Sequence, residues 1–342
     1  MAGTPSYAEL HCHSAYSFLD GVSLPDELAL RACELGHAAL ALTDHNSVSG
    51  SMELAMAAKQ YGLKAIHGAE LDLQDGRHIT LLVADERGWS NLCRIITHAH
   101  AHTRDGARRR DPAAARVALA HVLEHAQGLV CLTGCAGAGV HDEATARRLR
   151  DAFGAENLRV ELQRPCLRGD RARNRALSAL ARSLGLRCVA TGDAHAHARC
   201  RAALQDAFVA LRNHTTLDAS EPLRRGNHSH VMTSPQAMAA RFADHPQALR
   251  ETLLLAERLE FDLTKDLGYR YPGADDRDAE RRLAQLCSQR LHERYAGGAQ
   301  LAEARARLEQ ELRVIGKLGL AGFFLLHHDL LELAREVALA VR

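Results

Sequence analysis

Tyr7-Ala8-Glu9-Leu10-His11-Cys12-His13-Ser14 is an apolar run that ends in imidazoles, and Ala38-Ala39-Leu40-Ala41-Leu42-Thr43-Asp44-His45-Asn46 repeats the design. Each reads as a short buried strand that delivers polar side chains where the strand meets solvent. Strand side chains alternate with period two, so His11 and His13 leave the same face and can bind one ion together. Neutral imidazole and carboxylate are ordinary ligands for zinc, manganese and iron, and such ions activate water for hydrolysis. The pattern recurs down the chain and ends in Asp193-Ala194-His195.

Working outward, strand-like and helix-like runs alternate. Strands are expected at Tyr7–Leu10, Ala38–Leu42, Leu63–Ile66, Ile79–Val83, Leu129–Leu132, Leu158–Leu162 and Cys188–Ala190. Helices are expected at Pro25–Leu35, Ser51–Tyr61, Trp89–His100, Val117–Ala126, Glu143–Phe153 and Asp170–Leu184. Pro25 in a first turn, and Gly36 and Gly62 just past two ends, punctuate these helices. Such alternation predicts a mainly parallel sheet covered by helices, either a closed barrel or an open doubly wound sheet. The candidate ligands follow successive strands, and only a barrel brings all those strand ends to one mouth.

After Arg199 the strand signals stop. Helices are expected at Ala202–Leu211, Pro235–Phe242, Gln247–Leu259, Asp278–His292, Ala302–Leu318 and Phe323–Val341, with a linker at Tyr269–Asp276. The expected division is a metal-binding barrel over 1–200, a helical extension over 201–268 and a further helical part over 269–342. The last helix runs to the terminus without a cap, which suggests truncation. Arg104–Asp111, with Arg108-Arg109-Arg110, reads as a charged solvated excursion.

The 342 residues can bury a substantial core, and no apolar run reaches membrane-spanning length. The start lacks a signal peptide's basic and apolar regions, so a cytoplasmic location is expected. Nine cysteines, scattered and without a Cys-x-x-Cys pair, argue for reduced thiols. A net charge of +1 excludes an overall electrostatic signature for nucleic acid. With 21 histidines, a single one is weak evidence, and only position discriminates.

Further candidates follow in the same register. Asp20, in an Asp-Gly turn, can return a carboxylate to the mouth. Glu70 is placed after the third strand, where a carboxylate can bridge two ions. Trp89–His100 supplies His98 and His100, with His102 beyond, and only one helix face can point at the mouth. Cys135 follows the fifth strand, as a thiolate able to hold zinc or as inert packing.

His-x-His at the first strand, Thr-Asp-His at the second, a Gly-x-Glu, a helical histidine, a cysteine and a terminal Asp-x-His together resemble the polymerase-and-histidinol-phosphatase, or PHP, family. Tyr7-Ala-Glu-Leu-His-Cys-His-Ser-Ala-Tyr-Ser-Phe-Leu-Asp-Gly21, Leu42-Thr-Asp-His45 and Gly88-Trp-Ser-Asn-Leu92 resemble the N-terminus of bacterial C-family DNA polymerases. Tyr7-Ala-Glu-Leu-His11 and Gly68-Ala-Glu-Leu71 resemble the error-prone branch, and Gly322-Phe-Phe-Leu-Leu-His-His-Asp329 the stretch leading into the palm. The resemblance implies a distorted seven-stranded β/α barrel followed by a mainly helical segment. It implies two to three divalent ions held by His11, His13, Asp20, His45, Glu70, His100, Cys135, Asp193 and His195. Glu70, His13 and Asp193 would carry phosphoesterase or 3′–5′ exonuclease chemistry. DNA is the implied partner, with a sliding clamp and other damage-response proteins. The palm aspartates do not follow Phe323 within this sequence, so polymerisation by this polypeptide alone is not expected. A free-standing phosphatase and a metal-braced docking barrel are the alternatives.

Overall fold

The computed structural model describes residues 6–103, 114–224, 229–265, 276–295, 298 and 300–340. The charged excursion at 104–111 and residues 269–275 of the expected linker lie outside the described residues.

Seven strands, β1 (Ala8–Glu9), β2 (Ala39–Leu42), β3 (Lys64–Asp72), β4 (His78–Val83), β5 (Leu129–Leu132), β6 (Leu158–Gln163) and β7 (Arg187–Thr191), pair in chain order. Beyond β1 and β7, Cys12 bridges Ala194: His13 N–H donates to the Ala194 carbonyl at 2.7 Å, and Ala194 N–H to that of His11 at 3.1 Å. The sheet is therefore a nearly closed barrel. Six strands run parallel, but β4 is antiparallel to both β3 and β5. Parallel neighbours need a crossover, usually a helix. Here β3 and β4 are joined by a tight turn, in which Leu73 N–H donates to the Arg77 carbonyl at 2.8 Å. β3 also extends well past Ile66, so Glu70 lies inside the strand, opposite Thr80 of β4, rather than after it.

Helices α1 (Pro25–Leu35), α2 (Ser51–Tyr61), α3 (Glu86–His100), α4 (Leu119–Glu124), α5 (Glu143–Phe153) and α6 (Asp170–Leu184) alternate with the strands. α1 shows why they form. Pro25 opens the first turn, the Glu27 carboxylate accepts from Leu24 N–H at 2.9 Å, and Gly36 ends the helix at φ 78°. Its Leu28, Ala29 and Ala32 pack with Leu40 and Leu42 of β2 and Leu54 of α2. α3 lays Leu92, Ile95 and Ala99 into the core that holds Leu81 and Val83 of β4.

Beyond the barrel come α7 (Ala202–Arg212), α8 (Pro235–Arg241) and α9 (Pro246–Arg258). α9 packs at the strand starts. Ala8 N–H donates to Thr252 Oγ1 at 3.3 Å, and Leu255, Ala256 and Leu259 join the cluster containing Ile66, Val130 and Val189. Arg159 at the start of β6 is fully buried and pairs with Glu251 of α9 at 2.7 Å. Residues 1–267 form one compact unit that includes these helices.

Residues 268–342 form a second unit, with α10 (Ala279–Tyr295), α11 (Leu301–Lys317) and α12 (Ala321–Ala340) around a small core of Ala279, Leu283, Ala321 and Leu325. Among the described residues, no single helix is long and apolar enough to cross a membrane. All nine cysteines are described and free.

Candidate metal centre

The barrel mouth collects side chains from far-apart segments. His11 and His13 leave the end of β1, with Nε2 atoms 3.1 Å apart. Glu70 Oε2 lies 3.3 Å from the first and 3.1 Å from the second. Two nitrogens each about 2.0–2.1 Å from a tetrahedral ion stand roughly 3.3 Å apart, so these three donors suit one ion. On its other side, Glu70 Oε1 lies 2.9 Å from His78 Nδ1, which is 3.7 Å from Cys135 Sγ. Glu70 therefore belongs to two donor groups at once.

The His13 ring is stacked between those of His45 and His195, each centroid 4.4 Å away. Asp20 Oδ2 lies 3.1 Å from His45 Nε2 and 3.0 Å from His195 Nε2. Asp193 Oδ1 lies 3.6 Å from His13 Nε2, and Oδ2 lies 3.2 Å from His230 Nδ1. His13, His45 and His195 form a third donor group, and Asp193, His195 and His230 a fourth.

Neighbouring acceptors set the tautomers. Glu161 Oε1 lies 2.7 Å from His11 Nδ1 and accepts its N–H, so Nε2 is the nitrogen that faces the mouth and would bind an ion in place of its own proton. Ser17 Oγ, 3.1 Å from His13 Nδ1, does the same, because its own hydroxyl is donated to Asp44 Oδ1 at 2.7 Å. Asp44 is thus no ligand. It accepts from Ser14 N–H, Ser14 Oγ and Ser17 Oγ, each at 2.7 Å, and pins the loop that carries Asp20. These three donors satisfy the buried Asp44 carboxylate beside His45.

Burial opposes charge at every member of the cluster, and local pairing decides the sign. Burial lowers the His11 pKa, but Glu161 and Glu70 outweigh it and hold it well above the ordinary value. Burial, reinforced by His45, pushes His13 down to about 4. Burial raises the pKa values of Glu70 and Asp193, but their histidines outweigh it and keep both carboxylates ionised. Burial lowers His78, yet Cys135 and Glu70 bring it up to about 10. Packed imidazoles and ionised carboxylates, most of them buried, present the chemistry of a divalent-cation site.

Backbone strain gathers at the same place. Leu19, Asn46 and Asp193, at φ 58°, 47° and 51°, are three of five described non-glycine residues with positive φ, and each adjoins or belongs to the cluster.

Eight expected residues, His11, His13, Asp20, His45, Glu70, Cys135, Asp193 and His195, come together here. His100 does not join them. Its Nε2 instead lies 3.0 Å from the Asn46 carbonyl, because the last turn of α3 aims it at the backbone after β2. His98 stacks on His121 at 4.0 Å, in a separate imidazole group that includes His125. Sequence reasoning missed His78, His230 and Glu161. His78 opens the Ile79–Val83 strand instead of following it, so the strand-end pattern that marked the other ligands passed it over until the reversal of β4 was known.

Residues 9–165 match the PHP domain model. Residues 281–342 match the bacterial DNA polymerase III alpha NTPase domain. Curated relatives named Error-prone DNA polymerase align along nearly the whole chain. The one from Symbiobacterium thermophilum is 36% identical over 97% of this chain and 32% of its own length. The one from Pseudomonas paraeruginosa is 38% identical over 97% of this chain and 31% of its own. The chain thus spans about a third of the length of the curated relatives it matches. Asp193, His195 and His230 lie beyond the stretch that matches the PHP model, yet they complete the same barrel mouth.

Proposed function

We propose that this chain is part of an error-prone DNA polymerase and that its PHP mouth is a metal-dependent phosphoesterase acting on DNA 3′ ends. The observation that carries the reading is Glu70, one buried carboxylate shared by the His11–His13 pair and the His78–Cys135 pair. Two to three ions suit the donor groups, and the mixture of imidazole, carboxylate and thiol accepts zinc, manganese or iron. His11, His13 and Glu70 would hold one ion, and Glu70, His78 and Cys135 a second. Asp20, His45, Asp193 and His195, with His230, would hold the rest of the cluster. Ions bound there would lower the pKa of a water and offset charge on the phosphoryl oxygens. The protein orients the donors through Glu161 and Ser17, and keeps Glu70 and Asp193 ionised by surrounding them with imidazoles. DNA as substrate rests on the polymerase relatives, and a sliding clamp and damage-response proteins are partners expected from the resemblance alone.

The test is release of labelled 3′ nucleotides from a single-stranded oligonucleotide by the purified chain with manganese or zinc. Release that His13→Ala abolishes supports the reading. Bound metal with no release, or an undiminished rate in His13→Ala, overturns it. Turnover of histidinol phosphate but not DNA would point to a small-molecule phosphatase instead.

A further inference from the structure

Phe18 is 84% exposed, the most exposed large apolar side chain among the described residues. It is not on a loose segment. Asp20 N–H and Gly21 N–H both donate to the Ser17 carbonyl at 3.0 Å, and Val22 N–H donates to the His195 carbonyl at 3.0 Å. A Cβ on Gly21 would sit 2.0 Å from the Ser14 oxygen, so the loop closes only with glycine there. Leu19, next to Phe18, is held at φ 58°. A tightly bonded, strained turn therefore presents an aromatic ring to solvent.

Phe18 stands at the mouth. Phe18 and Arg212 line the same cavity, about 480 Å³, as Asp20, His45, Glu70 and His195. Arg212, the last residue of α7, lies 3.6 Å from Asp20 Oδ1 and is half exposed, so its guanidinium can also meet an incoming anion. A cavity of this size suits a ligand of one or two nucleotides rather than a duplex. The molecule that offers a phosphoester to the donor cluster and a flat aromatic face beside it is a polynucleotide end with an unpaired base.

We propose that Phe18 forms a nucleobase subsite, stacking the unpaired 3′-terminal base of a single DNA strand while Arg212 holds its phosphate. This rests on the phosphoesterase reading above and adds how that site would choose its substrate. It predicts that paired ends are poor ligands, because a base stacked within a duplex has no free face.

The test is a double-mutant cycle on binding, measured by fluorescence anisotropy with the full chain in manganese. Two phosphorothioate oligonucleotides are compared, one with a normal 3′-terminal nucleotide and one with a 3′-abasic nucleotide. Phe18→Ala should weaken the first about tenfold, or about 1.4 kcal/mol, and leave the second unchanged. Phe18→Trp should restore binding of the first. Because the side chain is exposed, neither variant removes core packing. Equal effects on both oligonucleotides, no effect on either, or no binding of either by the unmodified chain overturns the subsite. The two readings fail separately. Nucleotide release without a base-dependent difference sinks the subsite alone, and a base-dependent difference without release sinks the nuclease alone. If a protein segment rather than a base covers Phe18, the abasic comparison shows no coupling.

Discussion

Glu161→Gln tests how the barrel interior prepares the metal centre. Glu161 is buried beneath the mouth, and its Oε1 lies 2.7 Å from His11 Nδ1. That contact fixes the tautomer in which His11 Nε2 can act as a ligand, and a charge-assisted bond of this kind is worth about 1.5–3 kcal/mol. Loss of a carboxylate behind a metal-binding histidine commonly lowers affinity about 10–100-fold, or about 1.4–2.7 kcal/mol. The two magnitudes overlap, so we expect zinc affinity to fall by one to two orders of magnitude, as in that range. Glutamine keeps the shape but puts an amide NH₂ on one side, and at the Oε2 position no acceptor for it stands among the described residues. An added stability loss of about 1–3 kcal/mol is therefore expected, and must be separated from the metal effect. The assay is competition against a chromophoric chelator at fixed neutral pH, with thermal unfolding of the metal-free chain alongside. Unchanged zinc affinity in a folded variant would refute the reasoning and make Glu161 a packing residue.

Other predictions concern the fold and the ligand set. His78→Ala should lose one ion per chain by elemental analysis, while His100→Ala should lose none, since its Nε2 meets the Asn46 carbonyl. Glu251→Gln removes the charge partner of the fully buried Arg159, which keeps only its backbone carbonyl acceptors, and should cost about 3–5 kcal/mol, lowering the melting temperature. Replacing both partners by apolar residues should recover most of that loss, and no recovery would mean α9 is held mainly by other contacts. His37 is buried, its Nε2 donates to the Thr233 carbonyl at 2.9 Å, and burial holds its pKa down at about 4. The unfolded chain takes up that proton first, below about 6.5. Its contribution is thus complete above that pH and is lost as pH falls toward 4, by about 3 kcal/mol in all. In His37→Gln, urea midpoints at about pH 7 and about pH 5 should lie closer together than in the parent chain, and an unchanged gap would contradict this.

Much of this protein could be read from local pattern. His11-Cys12-His13 and Asp193-Ala194-His195 announce themselves because residues two apart at a strand end share a face, which needs no knowledge of the remaining chain. The strand-helix alternation likewise carries a mainly parallel sheet covered by helices, since each amphipathic helix must cover a sheet face, and the recurrence of ligands after successive strands selects the barrel. Even the seven strand positions were legible, although β3 ran longer than its apolar run because Glu70 and Asp72 are polar inside the barrel.

What only the tertiary structure decided is which polar groups meet. β4 runs backwards because the turn at Leu73–Arg77 leaves no room for a crossover, and that reversal carries His78 to Glu70. His230 reaches Asp193 only because the segment around Val231 pairs beside Ala196, and Glu161 reaches His11 only because β6, in the barrel wall, turns that side chain inward. Each of these contacts joins residues far apart along the chain or reversed in direction. Local sequence encodes the direction a side chain takes from its own strand. The closure of the barrel, driven by burial along the whole sheet, sets what lies opposite.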